Sequence, residues 1–311
     1  MKIRKNENMT IYKLWKSSIF LISTLFLWGC SNMKVKDFKP DAYFSHEIES
    51  EMAMANAIYY SNNELVKDYI KTGRVDINTP GKYGFTYLMY AIYIQKYDMA
   101  KLLLKLGADP NLLSFVNHPV KGNNPDYIQR EEGTFRLMPL SFVCGHPDWD
   151  IKYIKLLIEY GADVNATIPF TPIHELIVGG AGNMERIKYL MKHGLDLNVP
   201  DKLGDTPIIT AAIVRDLDLV EYFLDYGANP KQINKDGVSL GYKLQQQIER
   251  KLGTPEYLTH AEEIIERLKK MGIKFPVTKS KRVEEDSTSI SNDNNMNQGK
   301  TDENKTEWKW M

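Results

Sequence analysis

The sequence predicts an all-α solenoid, a row of about six helix-turn-helix units stacked side by side, and three observations predict it. Glycines at 73, 107, 161, 194, 227 and 272 close successive segments at intervals of 34, 54, 33, 33 and 45 residues. The stretches ending near three of them share one plan: GFTYLMYAIYIQKYDMAKLLLKLGADPN (84 to 111), TPIHELIVGGAGNMERIKYLMKHGLDLN (171 to 198) and GDTPIITAAIVRDLDLVEYFLDYGANP (204 to 230). Each opens near a threonine, carries an apolar helix and then an amphipathic one, and ends at the glycine. A period in this range is the mark of stacked repeats.

Each element follows from residue chemistry. Thr86, Thr171 and Thr206 stand where a hydroxyl can cap the first helix, and Pro139, Pro172 and Pro207 fit a first turn that needs no N–H. In the second helices Ile154, Leu156, Leu157 and Tyr160, like Ile187, Leu190 and Met191, form a stripe that one unit cannot bury alone. The closing glycine takes a left-handed conformation that other residues adopt at a cost, and the Asp or Asn after it starts the turn to the next unit. The first unit, from about Met52 to Gly73, lacks the Thr-Pro opening, as a terminal cap can. The last, Ser239 to Phe275, has longer helices and a Gly-Thr-Pro break at 253 to 255, and closes the other end.

These openings, Thr86-Tyr87-Leu88, Met138-Pro139-Leu140, Thr171-Pro172-Ile173-His174 and Thr206-Pro207-Ile208, resemble the T-P-L-H start of ankyrin repeats. The resemblance covers residues 51 to 276 and implies a binding scaffold that is not an enzyme and takes no cofactor. Partner identity does not follow from a fold of this kind.

Forty basic residues balance forty acidic ones, which argues against a nucleic-acid binder held by phosphate contacts. The balance is uneven along the chain. Lys2, Arg4, Lys5, Lys13 and Lys16 against Glu7 make residues 1 to 29 basic, and the remainder is acidic. An apolar run from Ile19 to Trp28 follows, too short for a bilayer span of roughly 20 residues, so residues 1 to 29 read as a secretory signal. Leu27-Trp28-Gly29-Cys30 resembles the lipobox of bacterial lipoproteins, with Trp28 where a smaller residue is usual. By that resemblance Cys30 is acylated, and two or more chains hold a protein stably on a membrane. Ser31 rather than Asp after the cysteine favours the periplasmic face of the outer membrane. Residues 30 to 50 are expected to be a lipidated polar spacer, and 277 to 311 a disordered polar tail ending in EWKWM, whose Trp308 and Trp310 are expected to be an unstructured end without a role, with a docking peptide or interfacial anchor as the alternative. Translation from Met33 would give a second, cytosolic form.

Catalytic motifs give way to structural readings. Gly237-Val238-Ser239-Leu240-Gly241 matches a nucleophile elbow, but no apolar strand precedes it, and Ser239 falls where Thr206 caps a helix one unit earlier. His174-Glu175 fails as a zinc motif at Val178, and Cys144-Gly145-His146 has no second ligand pair, so no metal is expected. His174 is expected to tie its loop together, Cys144 to fill a core position without a disulfide, and the glycines at 179, 180 and 182 to widen a turn.

Between the second and third units lies an insertion from Leu112 to about Phe135, and long loops on compact repeats are functional or disordered. The expected partner contacts are Tyr127 and Arg130 on it, with Lys82, Tyr83, Phe85 and Arg136 beside it, because Tyr and Arg dominate binding hot spots. Lipobox, spacer and ankyrin array together resemble the immunity lipoproteins that accompany type VI secretion phospholipase effectors. That resemblance implies a protein partner, a phospholipase, bound one to one. A general envelope scaffold without inhibitory role is the alternative. Replacing Cys30 by Ala, or adding a signal peptidase II inhibitor, is expected to release the protein from the membrane fraction, and unaltered fractionation would refute lipidation.

Overall fold

The computed structural model describes residues 39–81, 84–115, 136–167, 170–180 and 183–280. Among these, twelve α-helices form six antiparallel pairs. They are α1 (Glu49–Tyr59) with α2 (Asn63–Lys71), α3 (Tyr87–Tyr93) with α4 (Tyr97–Lys105), α5 (Pro139–Cys144) with α6 (Lys152–Glu159), α7 (Pro172–Val178) with α8 (Met184–Lys192), α9 (Pro207–Val214) with α10 (Leu217–Asp225), and α11 (Leu240–Glu249) with α12 (Pro255–Lys270). The first helices pack on one another along the stack, whereas most second helices pack chiefly on their own partner, so the first helices occupy the crowded side. All six closing glycines have φ between +69° and +98°. One core runs end to end, and its fully covered side chains include Ile58, Leu103, Ile154, Leu190, Val220 and Ile264 from successive second helices or their partners. Each such side chain contributes about 1.5–3 kcal/mol by burial.

Capping is more varied than the repeated opening suggests. Thr86 Oγ1 accepts from Met89 N at 3.1 Å, Ser239 Oγ from Tyr242 N at 3.2 Å, and Thr254 Oγ1 from Tyr257 N at 3.3 Å. Ser239 is therefore a helix cap. Thr171 and Thr206 do not cap. Nε2 of His174 lies 2.8 Å from the Asp205 carbonyl, which can only accept, so Nε2 carries the proton and Nδ1 accepts from the Thr171 hydroxyl. Burial holds His174 down to about 4, keeping it neutral. Thr206 has Ile209 where Thr171 has His174, and its buried hydroxyl has no hydrogen-bond partner among the described residues.

A second periodic device joins the units. Asn78 Nδ2 donates to Gly107 O at 3.0 Å while Asp109 N donates back to Asn78 Oδ1 at 2.8 Å. Asn111 repeats this with Gly161 and Asp163, and Asn165 with Gly194 and Asp196. Each asparagine thus satisfies a carbonyl at one helix end and the amide that opens the next turn. On the outer face Lys152 lies over the Tyr97 ring at 5.1 Å, Lys155 over Tyr189 at 5.6 Å and Lys188 over Tyr222 at 5.8 Å, every pair spanning adjacent units.

The ends depart from expectation. The spacer is not a polar leash from residue 39 onward: Pro40–Ala42 forms a 3-10 turn, and Tyr43 and Phe44 are buried. Phe44 stacks on Tyr87 at 5.2 Å, Tyr43 lies 5.0 Å from Phe85, and Glu51 Oε1 accepts from Ser45 N at 3.0 Å. The strap covers the apolar side of the first two units. At the other end the boundary at 276 falls short, because Val277 N donates to Gln245 Oε1 at 2.7 Å and Ser280 N to Gly237 O at 3.0 Å. Cys30, Met33, Trp308 and Trp310 lie outside the described residues.

The turns between paired helices hold a left-handed residue, at Ser61, Gln95, Arg215 and Lys251, and Gly180 fills that place in the fourth unit with φ +91°. Gly180 there supplies a conformation as well as length. In the third unit the longer turn is clamped instead by Arg186 of α8, a buried side chain that donates to the carbonyls of His146 (2.9 Å), Pro147 (2.7 Å) and Trp149.

Two stability predictions follow from this wiring. Arg186→Met leaves three carbonyls without their donor and is expected to cost about 3 kcal/mol, against about 1 kcal/mol for Asn165→Ala at the surface, in urea unfolding. Equal losses would contradict the clamp. For His174 the native value of about 4 lies below the ordinary 6.5, so its contribution is complete above 6.5 and is lost as pH falls from 6.5 to 4. The stability difference between the protein and His174→Gln should shrink across that window, and a difference that stays flat would refute the buried neutral ring.

Candidate protein-binding surface

Two surfaces are available for a partner: the loops that join one unit to the next, and the crowded side formed by the first helices. The described ends of the insertion lie at the loop edge. Its feet are the two-residue strands β1 (Ser114–Phe115) and β2 (Arg136–Leu137), paired antiparallel as Ser114 with Leu137 and Phe115 with Arg136. Ser114 Oγ accepts from Thr86 N at 3.1 Å and pairs with Thr86 Oγ1 at 3.0 Å, which anchors the first foot to the second unit. The two ends of the insertion therefore meet at one point beside the second unit.

Of the six expected contact residues, Lys82, Tyr83, Tyr127 and Arg130 lie outside the described residues, and Arg136 is placed by its backbone in β2. Phe85 contradicts the expectation. It is 1% exposed, with its ring 5.0 Å from Tyr43 and 5.8 Å from Tyr93. The N-terminal strap covers it, so it is a core residue and not a partner contact.

The fifth and sixth loops form a rigid edge. Asp201 Oδ1 accepts from Leu203 N and Asp205 N, each at 2.8 Å, and Asn234 Oδ1 accepts from Asp236 N and Val238 N. Asn234 Nδ2 donates to Asp205 Oδ1 at 2.6 Å and Lys235 N to Leu203 O at 3.0 Å, tying the two loops together. Gly204 makes this approach possible: φ is +78°, and a Cβ there would stand 2.8 Å from Lys235 N. Between the loops is a shallow recess of about 280 Å³ bordered by Pro200, Gln232 and Ile233. Phe170 (45% exposed) and Ile233 (40%) present apolar surface along this edge, and Lys202 Nζ sits 4.5 Å over the Phe170 ring.

On the first-helix side, the fourth residue after each helix opening forms a row: Tyr90, Phe142, Glu175, Thr210 and Lys243. Phe142, His146 and Trp149 group their rings beside the middle of it, with centroids 4.3 to 5.5 Å apart. Burial raises the Glu175 carboxyl to about 7, and Lys202 opposes the shift. Burial also pushes the Cys144 thiol well above its usual range, which makes it a poor nucleophile, and the cysteine is fully covered. Among the described residues, no three His, Cys, Asp or Glu side chains are grouped to hold a metal. The chemistry on offer is recognition: rigid loops, rings, and a few polar groups set among apolar ones.

Sequence reasoning missed Phe170, Ile233 and Glu175. Phe170 directly precedes the Thr171-Pro172 opening and could have been found as an apolar residue in a loop. Glu175 could have been found by aligning the units, because it puts a carboxylate in a row otherwise filled by rings, a hydroxyl and an amine.

Comparison with known proteins agrees with this architecture. A family model for ankyrin repeats, in three copies, matches residues 25–114 and 140–234. The ankyrin repeat protein FPV230 of fowlpox virus is 25% identical over 179 residues, 53% of this chain and 94% of its own length. Protein PhlB of Serratia liquefaciens is 26% identical over 166 residues, 52% of this chain and 62% of its own. Across the curated relatives the match spans from 14% to 94% of the relative's length. Among solved structures, the ankyrin repeat domain of Bcl-3, of the IkappaB protein family, superposes with a TM-score of 0.51 at 19% identity, covering 69% of this chain and 85% of that one. The chain belongs to the ankyrin-repeat family, whose stacked units serve as scaffolds for protein-protein interaction.

Proposed function

We propose that this protein is a lipid-anchored immunity protein that binds and neutralises a phospholipase effector delivered into the bacterial envelope. The observation that carries this reading is the layout of the chain. A basic and apolar leader ends at Leu27-Trp28-Gly29-Cys30, and an ankyrin array follows. A lipase must reach a bilayer surface to act, and an inhibitor moored there meets it at a raised effective concentration. The loop edge and the first-helix side give a rigid, mixed apolar and polar surface. A specific complex requires about 800 Å² from each partner. On this reading the protein sits on the periplasmic face of the outer membrane in a one-to-one complex, and a form begun at Met33 meets the effector in the cytosol before export.

The test is to purify the lipase encoded beside this gene, measure its binding by calorimetry, and compete a deletion strain against its parent. Tight binding with loss of lipase activity, and death of the deletion strain, are the expected results. Absence of a neighbouring lipase gene, no binding, or undiminished survival would overturn the proposal, and a non-toxin partner recovered in its place would favour a general envelope scaffold.

A further inference from the structure

We propose that the recess between the fifth and sixth loops is a subsite for a primary carboxamide, the end of an asparagine or glutamine side chain that a partner polypeptide inserts there. The proposal rests on the reading of the loop edge as a partner surface, and it names the chemistry that this edge selects.

The recess holds about 280 Å³ and is lined in part by Pro200, Gly204, Thr206, Gln232, Ile233 and Lys235. That is just below the roughly 300–1,000 Å³ of small-molecule pockets, a size for one inserted side chain. Two of these residues carry polar atoms buried without a hydrogen-bond partner among the described residues: the Thr206 hydroxyl and Gln232 Oε1. Thr206 is 2% exposed. Both atoms mark departures from the repeat. In the fourth unit the hydroxyl of Thr171 bonds to His174, but Ile209 stands at the same distance from Thr206. Five residues after Gly161 and Gly194 come Ala166 and Val199, both apolar and buried, whereas five after Gly227 comes Gln232. The fifth unit thus loses a partner, and the sixth loop gains an unpartnered amide, at one and the same recess.

A buried polar group without a bond is costly, and an occupant that supplies the bond lifts the cost. Gln232 Oε1 can only accept, so the occupant must bring a donor. The Thr206 hydroxyl can donate, so an acceptor on the occupant completes the second bond. A carboxamide carries an N–H donor and a carbonyl acceptor side by side, and it serves whichever way the Gln232 amide turns. A carboxylate would set acceptor against acceptor at Gln232 Oε1. A guanidinium or ammonium group has no acceptor for the Thr206 hydroxyl and would enter beside Lys235. Pro200 and Ile233 offer apolar surface to the methylene stem. The frame is fixed beforehand: Asn234 Nδ2 bonds across to Asp205 Oδ1 and Lys235 N to Leu203 O, so little order is lost when the side chain enters.

Ile233, 40% exposed at the rim, is the reporter. Full-length protein held in detergent micelles and labelled with ¹³C at the isoleucine δ1 methyl groups gives its NMR signal, assigned by its loss in Ile233→Val. Millimolar acetyl-Ala-Gln-Ala-amide is expected to shift that signal saturably. The same peptide with Glu or Met in place of Gln keeps the length without the donor-acceptor pair and should not shift it. Thr206→Val and Gln232→Leu should each weaken binding about fivefold, the worth of one hydrogen bond, and should leave the urea midpoint unchanged or raised, because each removes an unpartnered group. No shift, an equal shift with the Glu or Met peptide, or binding unaffected by either variant would overturn the subsite. A midpoint lowered in both variants would overturn it too, since the two groups would then already be bonded by ordered water. The two proposals fail separately. A protein that binds the glutamine peptide but not the neighbouring lipase keeps the subsite and loses the immunity reading. Lipase binding that survives in Thr206→Val and Gln232→Leu, with no peptide shift, does the reverse.

Discussion

Everything in this structure depends on one constraint: a pair of helices of six to sixteen residues cannot bury its own apolar faces, so each unit is stable only against its neighbours. Helices this short are marginal in water. Stacking supplies what they lack, and it does so through contacts that recur along the chain at the spacing of the units. The asparagine series from Asn78 to Asn165 and the lysine-over-tyrosine pairs on the outer face are both of this kind, since each side chain reaches across a seam and not within its own unit. A stack so built has two exposed ends as an unavoidable by-product.

The ends are closed by different means. At the front of the described units, Tyr43 and Phe44 lay rings onto Phe85, Tyr87 and Tyr90, so that a strap of a few residues covers the first two units. At the back, α12 is lengthened to 16 residues, tied to α10 by Arg267 to Asp225 at 2.7 Å, and the chain returns along α11 as far as Ser280. The same constraint explains how an insertion is tolerated. Because β1 and β2 close its base and Ser114 bonds to Thr86, the units on either side remain in contact.

Polar side chains interrupt the repeat at a few positions. A residue that serves the stack must fit both neighbours, and Tyr90 and Phe142 meet that requirement with buried rings in the first-helix row. Glu175 and Thr210 break this pattern without gaining a partner from within the fold. The loop edge shows the complementary case: Asp201, Asp205 and Asn234 use their polar groups to hold two loops rigid, which leaves Phe170 and Ile233 displayed on a fixed frame. Preorganised loops of this kind lose little entropy on association.

The sequence by itself determined the number of units, the helix-turn-helix plan of each, the glycine at every closure and the roles of Ser239, His174 and Cys144. All of these are local: a left-handed turn, a cap or an apolar stripe is written within a few residues, and the period repeats it. Only the tertiary structure decided that Phe85 is core, that Tyr43 and Phe44 form a cap, that Thr206 caps nothing, and that Arg186 clamps a turn 37 to 40 residues away. Those outcomes turn on what a neighbouring unit places opposite a side chain, and no local pattern records what stands across the seam.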